Sequence, residues 1–196
     1  MKNLKKNVLG GYNLSCIGDE RNHSCIFSKY NNSLTDKALK EAYKKLNIKF
    51  KKYSFLERAS DERQYNSPGI DLPIAVICRT KFGKYKEYHT SLDDFKVVTL
   101  KGLTGGFRVA KKAIEILQDK IVPINKILCE PQLSKRNMYP SLSIKKPKNK
   151  FTKKIMDFLQ YADGKNDVED ISKILKINKK LTFKIYKTLK NVKIVD

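Results

Sequence analysis

Pro73-Ile74-Ala75-Val76-Ile77-Cys78 is a continuous apolar run that follows the polar turn Glu57 to Asp71. Without polar alternation, it reads as a strand covered on both faces. Upstream, Ile48 to Phe55 is strand-like, with a period-two alternation beginning at Phe50 and Lys52. Before it, Ser33 and Asp36 make a capping-box signature for a helix carrying Leu34, Ala38, Ala42, Tyr43 and Leu46. Tyr12 to Gly18 and Ser24 to Phe27 read as short apolar strands joined by the polar loop Asp19 to His23, which puts an acid just past a strand's C-terminal end. The resulting order of strand, helix, strand, loop, strand is that of an α/β domain.

Downstream, Leu100 to Leu117 has helix-period apolar residues at Leu103, Phe107, Ala110, Ile114 and Leu117. Gly102, Gly105 and Gly106 lower its intrinsic propensity, so close packing against the sheet must compensate. Pro123 stops the pattern, and three prolines with the run Lys145-Lys146-Pro147-Lys148-Asn149-Lys150 mark a linker. From Phe151, Ile155, Phe158 and Leu159 define one short helix; Asp167 caps a second with Val168, Ile171 and Ile174; and Leu181, Ile185 and Leu189 define a third. Val192 to Val195 reads as a terminal strand. Three short helices with a turn before the third, then a strand, is winged-helix order. The expected boundaries are 1–139 for the α/β domain, 140–150 for the linker and 151–196 for the winged helix.

With 196 residues and 40% apolar content, the chain can form one medium domain and a small one. No run of about 18 apolar residues could span a bilayer, and the basic N-terminus lacks the apolar core of a signal peptide, so a cytoplasmic location is expected. Cys16, Cys25, Cys78 and Cys129 lack C-x-x-C spacing and read as free thiols rather than a zinc knot or disulfides. The net charge of +22 is spread as lysine over every segment, a diffuse field rather than a shaped stripe. Residues 140–196 hold 15 lysines against six acids, yet no Arg follows Arg136, and bidentate base readout favours Arg.

Chemistry concentrates in Ser60-Asp61-Glu62-Arg63-Gln64-Tyr65-Asn66-Ser67-Pro68-Gly69-Ile70-Asp71-Leu72-Pro73 and in Glu87-Tyr88-His89-Thr90-Ser91-Leu92-Asp93-Asp94. These stretches, with Cys129-Glu130-Pro131-Gln132-Leu133, resemble the C-terminal half of the bacterial polysaccharide-biosynthesis family with an aminopeptidase-like domain, a branch of the zinc aminopeptidase superfamily. The resemblance runs from about Leu9 to the C-terminus and implies part of a three-layer sheet domain followed by a winged-helix module. It implies zinc as cofactor, with Asp19 and His89 as metal ligands, and a substrate-binding role for Asp61, Glu62, Arg63, Tyr65 and Tyr88. A guanidinium such as Arg63 could grip an anionic group, although a surface pair of Arg63 with Glu62 or Asp61 reads equally well. His23 reads as solvated.

The superfamily's remaining ligands and general base precede the segment that this chain matches. His23 and His89 are the only histidines, and zinc catalysis needs more ligands and a base. The expectation is therefore a truncated zinc-metallohydrolase-like protein of surface-polysaccharide synthesis, weakly active or inactive as a lone chain. It would act on a peptide-like or sugar-linked substrate and be completed by an upstream half or a homo-oligomer. Two alternatives stay open: a basic nucleic-acid-binding protein using Lys180, Lys184 and Lys187, and a pseudoenzyme scaffold.

Overall fold

The computed structural model describes residues 2–136, 138 and 150–196. The expected 140–150 linker lies outside the described residues except for Lys150. The chain divides into two compact units, Met1–Asp119 and Lys120–Asp196.

In the first unit, α1 (Lys2–Asn7) precedes a four-stranded sheet made of β1 (Gly11–Leu14), β2 (Ser24–Ile26), β3 (Lys51–Tyr53) and β4 (Ile74–Cys78). The strand order is β1-β4-β2-β3. β1 runs parallel to β4, β2 parallel to β3, and β2 antiparallel to β4. All five residues of β4 are buried, as its unbroken apolar run requires. Complete burial of each large side chain there, Ile74, Val76 or Ile77, contributes about 1.5–3 kcal/mol.

Two helices, α2 (Leu34–Lys45) and α4 (Leu100–Gln118), cover one face of the sheet, where Ala38, Leu39, Ala42 and Tyr43 meet Val109, Ala110 and Ala113. The α2 capping box forms as the sequence indicates: Asp36 N donates to Ser33 Oγ at 3.2 Å, and Ser33 N to Asp36 Oδ2 at 2.9 Å. The opposite face carries Ile26, Val76 and Cys78 beneath a layer of loops with Phe82, Tyr53, Phe55 and Tyr88. Short α3 (Glu62–Tyr65) belongs to that layer, tied to β1 through Asn13.

Two expected strands are shorter than their sequence pattern, and α4 buries a different face. The first strand stops at Leu14 because Cys16 takes a left-handed backbone, φ 50°. The third ends at Tyr53 because Ser54 caps a 3-10 turn over Phe55–Glu57. In α4 the buried face is Gly102, Gly106, Val109, Ala110, Ala113 and Ile116, whereas Leu103, Phe107 and Ile114 are exposed. The glycines decide this: a Cβ on Gly102 would lie 1.8 Å from Gly18 O, and one on Gly106 2.9 Å from Ile17 Cβ. Helix α4 thus sits against the backbone after β1 at a distance only glycine permits.

The second unit holds α5 (Lys150–Tyr161), α6 (Val168–Ile174) and α7 (Lys179–Asn191), packed around Ile155, Phe158, Ile171, Ile185 and Leu189. Asp167 and Asn178 cap α6 and α7, accepting from Asp170 N at 2.7 Å and Leu181 N at 2.8 Å. Its boundary lies at 119/120 rather than 139/140, because Ile121 and Ile127 pack on this core and Leu133 is buried in it. Lys120 also pairs with Asp167 at 2.9 Å. The expected terminal strand reduces to a single bridge, Asn125 with Val195. Lys193 turns left-handed at φ 57°, and Ile194 N still bonds Leu189 O, so the chain leaves the helix too late to form a ladder.

Candidate functional site

Because β1 and β4 are parallel neighbours, their C-terminal ends open at the same end of the sheet, where crevices in α/β folds form. The antiparallel start of β2 reaches that end too, with Ser24 opposite Cys78. The loop Asp19 to His23 and the loop beginning at Arg79 therefore meet.

Asp19 is the hub of this meeting. Nearly buried, its carboxylate accepts from Thr80 N at 2.7 Å, Thr80 Oγ1 at 2.7 Å and Arg21 N at 2.8 Å. Its carbonyl accepts from Arg79 Nε at 2.6 Å. Arg21 grips Glu87 with two bonds of 3.0 and 2.9 Å, the bidentate geometry a guanidinium favours. That pairing holds the Glu87 carboxyl below its usual range. His23, expected to be solvated, is half-buried against Arg79: Arg79 Nη1 meets its Nε2, and its Nδ1 has no partner. Burial first, and then Arg79 and Arg108, push its pKa down to about 4, so the ring is neutral at pH 7.

Beside Asp19 lies a cleft of about 290 Å³ lined by Cys16, Tyr85, Tyr88, Asp93, Val98 and Leu103 among others. Tyr85 Oη donates to Asp93 Oδ2 at 3.3 Å, and burial raises both tyrosines above the ordinary phenol range. The cleft therefore offers two neutral phenols and two carboxylates.

Of the residues expected to act, Asp19 and Tyr88 reach this cleft. His89 is exposed, on a left-handed backbone of φ 59°, with its ring stacked on Tyr88 at 4.0 Å. Both oxygens of Asp19 already accept from protein donors, and two arginines stand beside it. As arranged, Asp19 and His89 do not fit a zinc ion. Among the described residues, no three His, Cys, Asp or Glu side chains gather as a ligand set.

The motif from Asp61 to Tyr65 does not line the cleft. Glu62, expected to face substrate, is fully buried: Ala59 N, Ser60 N and Asn13 Nδ2 donate to it at 3.0, 3.2 and 3.0 Å. It ties the turn before α3 to β1. Asp61, just before α3, and Arg63 within it are exposed, and Tyr65 is half-buried. Arg21, Arg79, Thr80 and His23 were not legible as site residues, and Glu87, although inside the quoted Glu87 to Asp94 stretch, was not legible as the partner of Arg21. The four have no sequence signal beyond their position at strand ends, since the partners in these contacts lie 56 to 66 residues apart.

A mixed α/β unit with a polar crevice at its strand ends, followed by a small helical unit, defines the class of this protein. The chain belongs to the family described as "Domain of unknown function (DUF4910)", whose model matches residues 1–120, and a winged helix-turn-helix model matches residues 121–196. It is similar to a Clostridium acetobutylicum protein named "Putative polysaccharide biosynthesis protein with aminopeptidase-like domain": 29% identity over 170 residues, covering 85% of this chain and 38% of that one. A crystal structure from the same organism, called a "putative peptidase", shares the fold with a TM-score of 0.60 at 24% identity, covering 100% of this chain and 43% of that chain. The chain thus spans less than half the length of these relatives.

Proposed function

We propose that this protein is an aminopeptidase-like binding module of surface-polysaccharide synthesis. It holds a sugar-linked or peptide-like group in the cleft of Tyr85, Tyr88 and Asp93, and its own side chains carry out no hydrolytic step. The likeness to the clostridial polysaccharide-biosynthesis protein supports the pathway. The observation that carries the binding role is the state of Asp19: three protein donors occupy its carboxylate. A carboxylate so occupied organises two loops and is poorly placed to polarise water. The tyrosine rings give a sugar or side chain an apolar platform, and Asp93 accepts from its hydroxyl or amine.

The test is titration of the full chain with hexosamines and dipeptides, followed by NMR, alongside an aminoacyl-anilide hydrolysis assay. Saturable shifts lost in Tyr88→Ala, with no turnover, are expected. Zinc-dependent turnover abolished by Asp19→Ala would overturn the reading.

A second reading rests on α7. Lys180, Lys184 and Lys187 are exposed at spacings of four and three, which puts them on one helix face, and Lys184 sits 5.9 Å over the Phe151 ring. We propose this face as a phosphate-backbone contact for nucleic acid. Duplex binding measured by anisotropy should weaken with salt, and the triple Gln variant should flatten the log–log salt slope by about 0.9 per lost contact. Binding unchanged in that variant would exclude the face.

A further inference from the structure

A second cleft, of about 350 Å³, lies among Arg21, His23, Lys49, Phe50, Lys51 and Arg79, with Glu20 at its margin. Its charges do not balance. Glu20 is engaged by Thr99 Oγ1 at 2.7 Å and Lys101 Nζ at 2.8 Å, and Arg21 is already matched by Glu87. Lys49, Lys51 and Arg79 remain without a carboxylate partner among the described residues. Arg79 is the telling one, because it is buried, with only 6% of its surface exposed, yet its contacts are a carbonyl and an imidazole. Glu20 acts on Arg79 only through space while it bonds Thr99 and Lys101, and a buried guanidinium with no hydrogen-bonded anion is costly.

His23 adds an unmet donor. Its Nε2 faces a guanidinium N–H and must accept, so the neutral ring carries its proton on Nδ1, the buried atom that has no acceptor. The backbone fixes the arrangement: Lys51 N donates to His23 O at 2.8 Å, which places the Lys51 strand beside the histidine loop. Gly105 of α4 makes room, since a Cβ there would stand 2.8 Å from Arg79 Nη1.

We infer that this cleft binds the phosphate or pyrophosphate group of a small molecule, held by Arg79, Lys49 and Lys51 with His23 Nδ1 as a further donor. Guanidinium, ammonium and imidazole donors around an excess of positive charge are the chemistry of phosphate recognition, and Phe50 gives an organic group an apolar wall. The site is independent of the sugar or peptide cleft and stands whether or not that reading holds.

The experiment is calorimetric titration of the full chain at fixed ionic strength with inorganic pyrophosphate, a hexose phosphate and a nucleoside diphosphate. The expected result is saturable pyrophosphate binding that weakens about tenfold or more in Lys49→Gln/Lys51→Gln, exposed positions where folding should be unaffected. Gly105→Ala, which displaces Arg79, should weaken it as well. Lys165→Gln/Lys176→Gln, exposed positions elsewhere on the chain, should leave it unchanged. Tighter binding of either organic phosphate assigns the ligand to that source, and equal affinity assigns recognition to the phosphate alone. Absence of saturable binding, wild-type affinity in Lys49→Gln/Lys51→Gln, or an equal loss in the Lys165/Lys176 control would overturn the site and leave only the diffuse field of a basic protein.

Discussion

Glu62 and His23 show how the surroundings of a side chain, rather than its motif, set its role. Glu62 sits in the chain's most chemically suggestive stretch yet is spent on three N–H donors. Removing it in Glu62→Ala leaves those donors unpaired and should lower stability by about 3 kcal/mol in urea unfolding, with Glu62→Gln losing less. A Glu62→Ala protein as stable as wild type would assign the residue to ligand contact instead. His23 gives a pH signature. Its folded pKa of about 4 lies below the ordinary value near 6.5, so between those values the unfolded chain binds more protons and stability falls as pH drops. Water screens the half-exposed ring, so the loss is about 1–2 kcal/mol between pH 7 and pH 4. Thermal unfolding across that range should show this component in wild type and not in His23→Gln.

Helix α4 is the element whose packing most clearly departs from its periodicity. Leu103, Phe107 and Ile114 make an apolar stripe by spacing, but the face that meets the sheet belongs to small residues because the backbone of Gly18 passes beside Gly102. Gly102→Ala would gain about 1 kcal/mol of helix propensity in isolation. Here the added carbon collides with a carbonyl, and the variant should lose at least about 2 kcal/mol by chemical denaturation. A stabilised Gly102→Ala would show that α4 sits farther from the β1 loop.

The same contrast explains what the sequence disclosed. β4 and α2 were legible because their signals are local: an unbroken apolar run, and a serine and an aspartate three residues apart. The early ends of β1 and β3 hinge on Cys16 and Ser54, whose effect is a single dihedral or cap. In the site, Asp19 could be selected from its place after a strand, and Tyr88 from the resemblance of its stretch to the aminopeptidase-like family. The long-range grip of Arg21 on Glu87, and of Arg79 on the Asp19 carbonyl and His23, leaves no local pattern.

For the whole molecule, two units with separate cores imply separate stability. The Lys120–Asp196 fragment should fold alone, with helical circular dichroism and one cooperative transition; a noncooperative melt would place part of its core in the first unit. With three protein donors on its carboxylate, Asp19 should act as an internally satisfied hub beside a binding cleft and hold no metal. Elemental analysis of the full chain after dialysis against trace zinc, beside an Asp19→Ala/His89→Ala variant, tests it most directly. Zinc content no higher in wild type than in the variant is predicted; stoichiometric zinc in wild type, abolished in the variant, would contradict it.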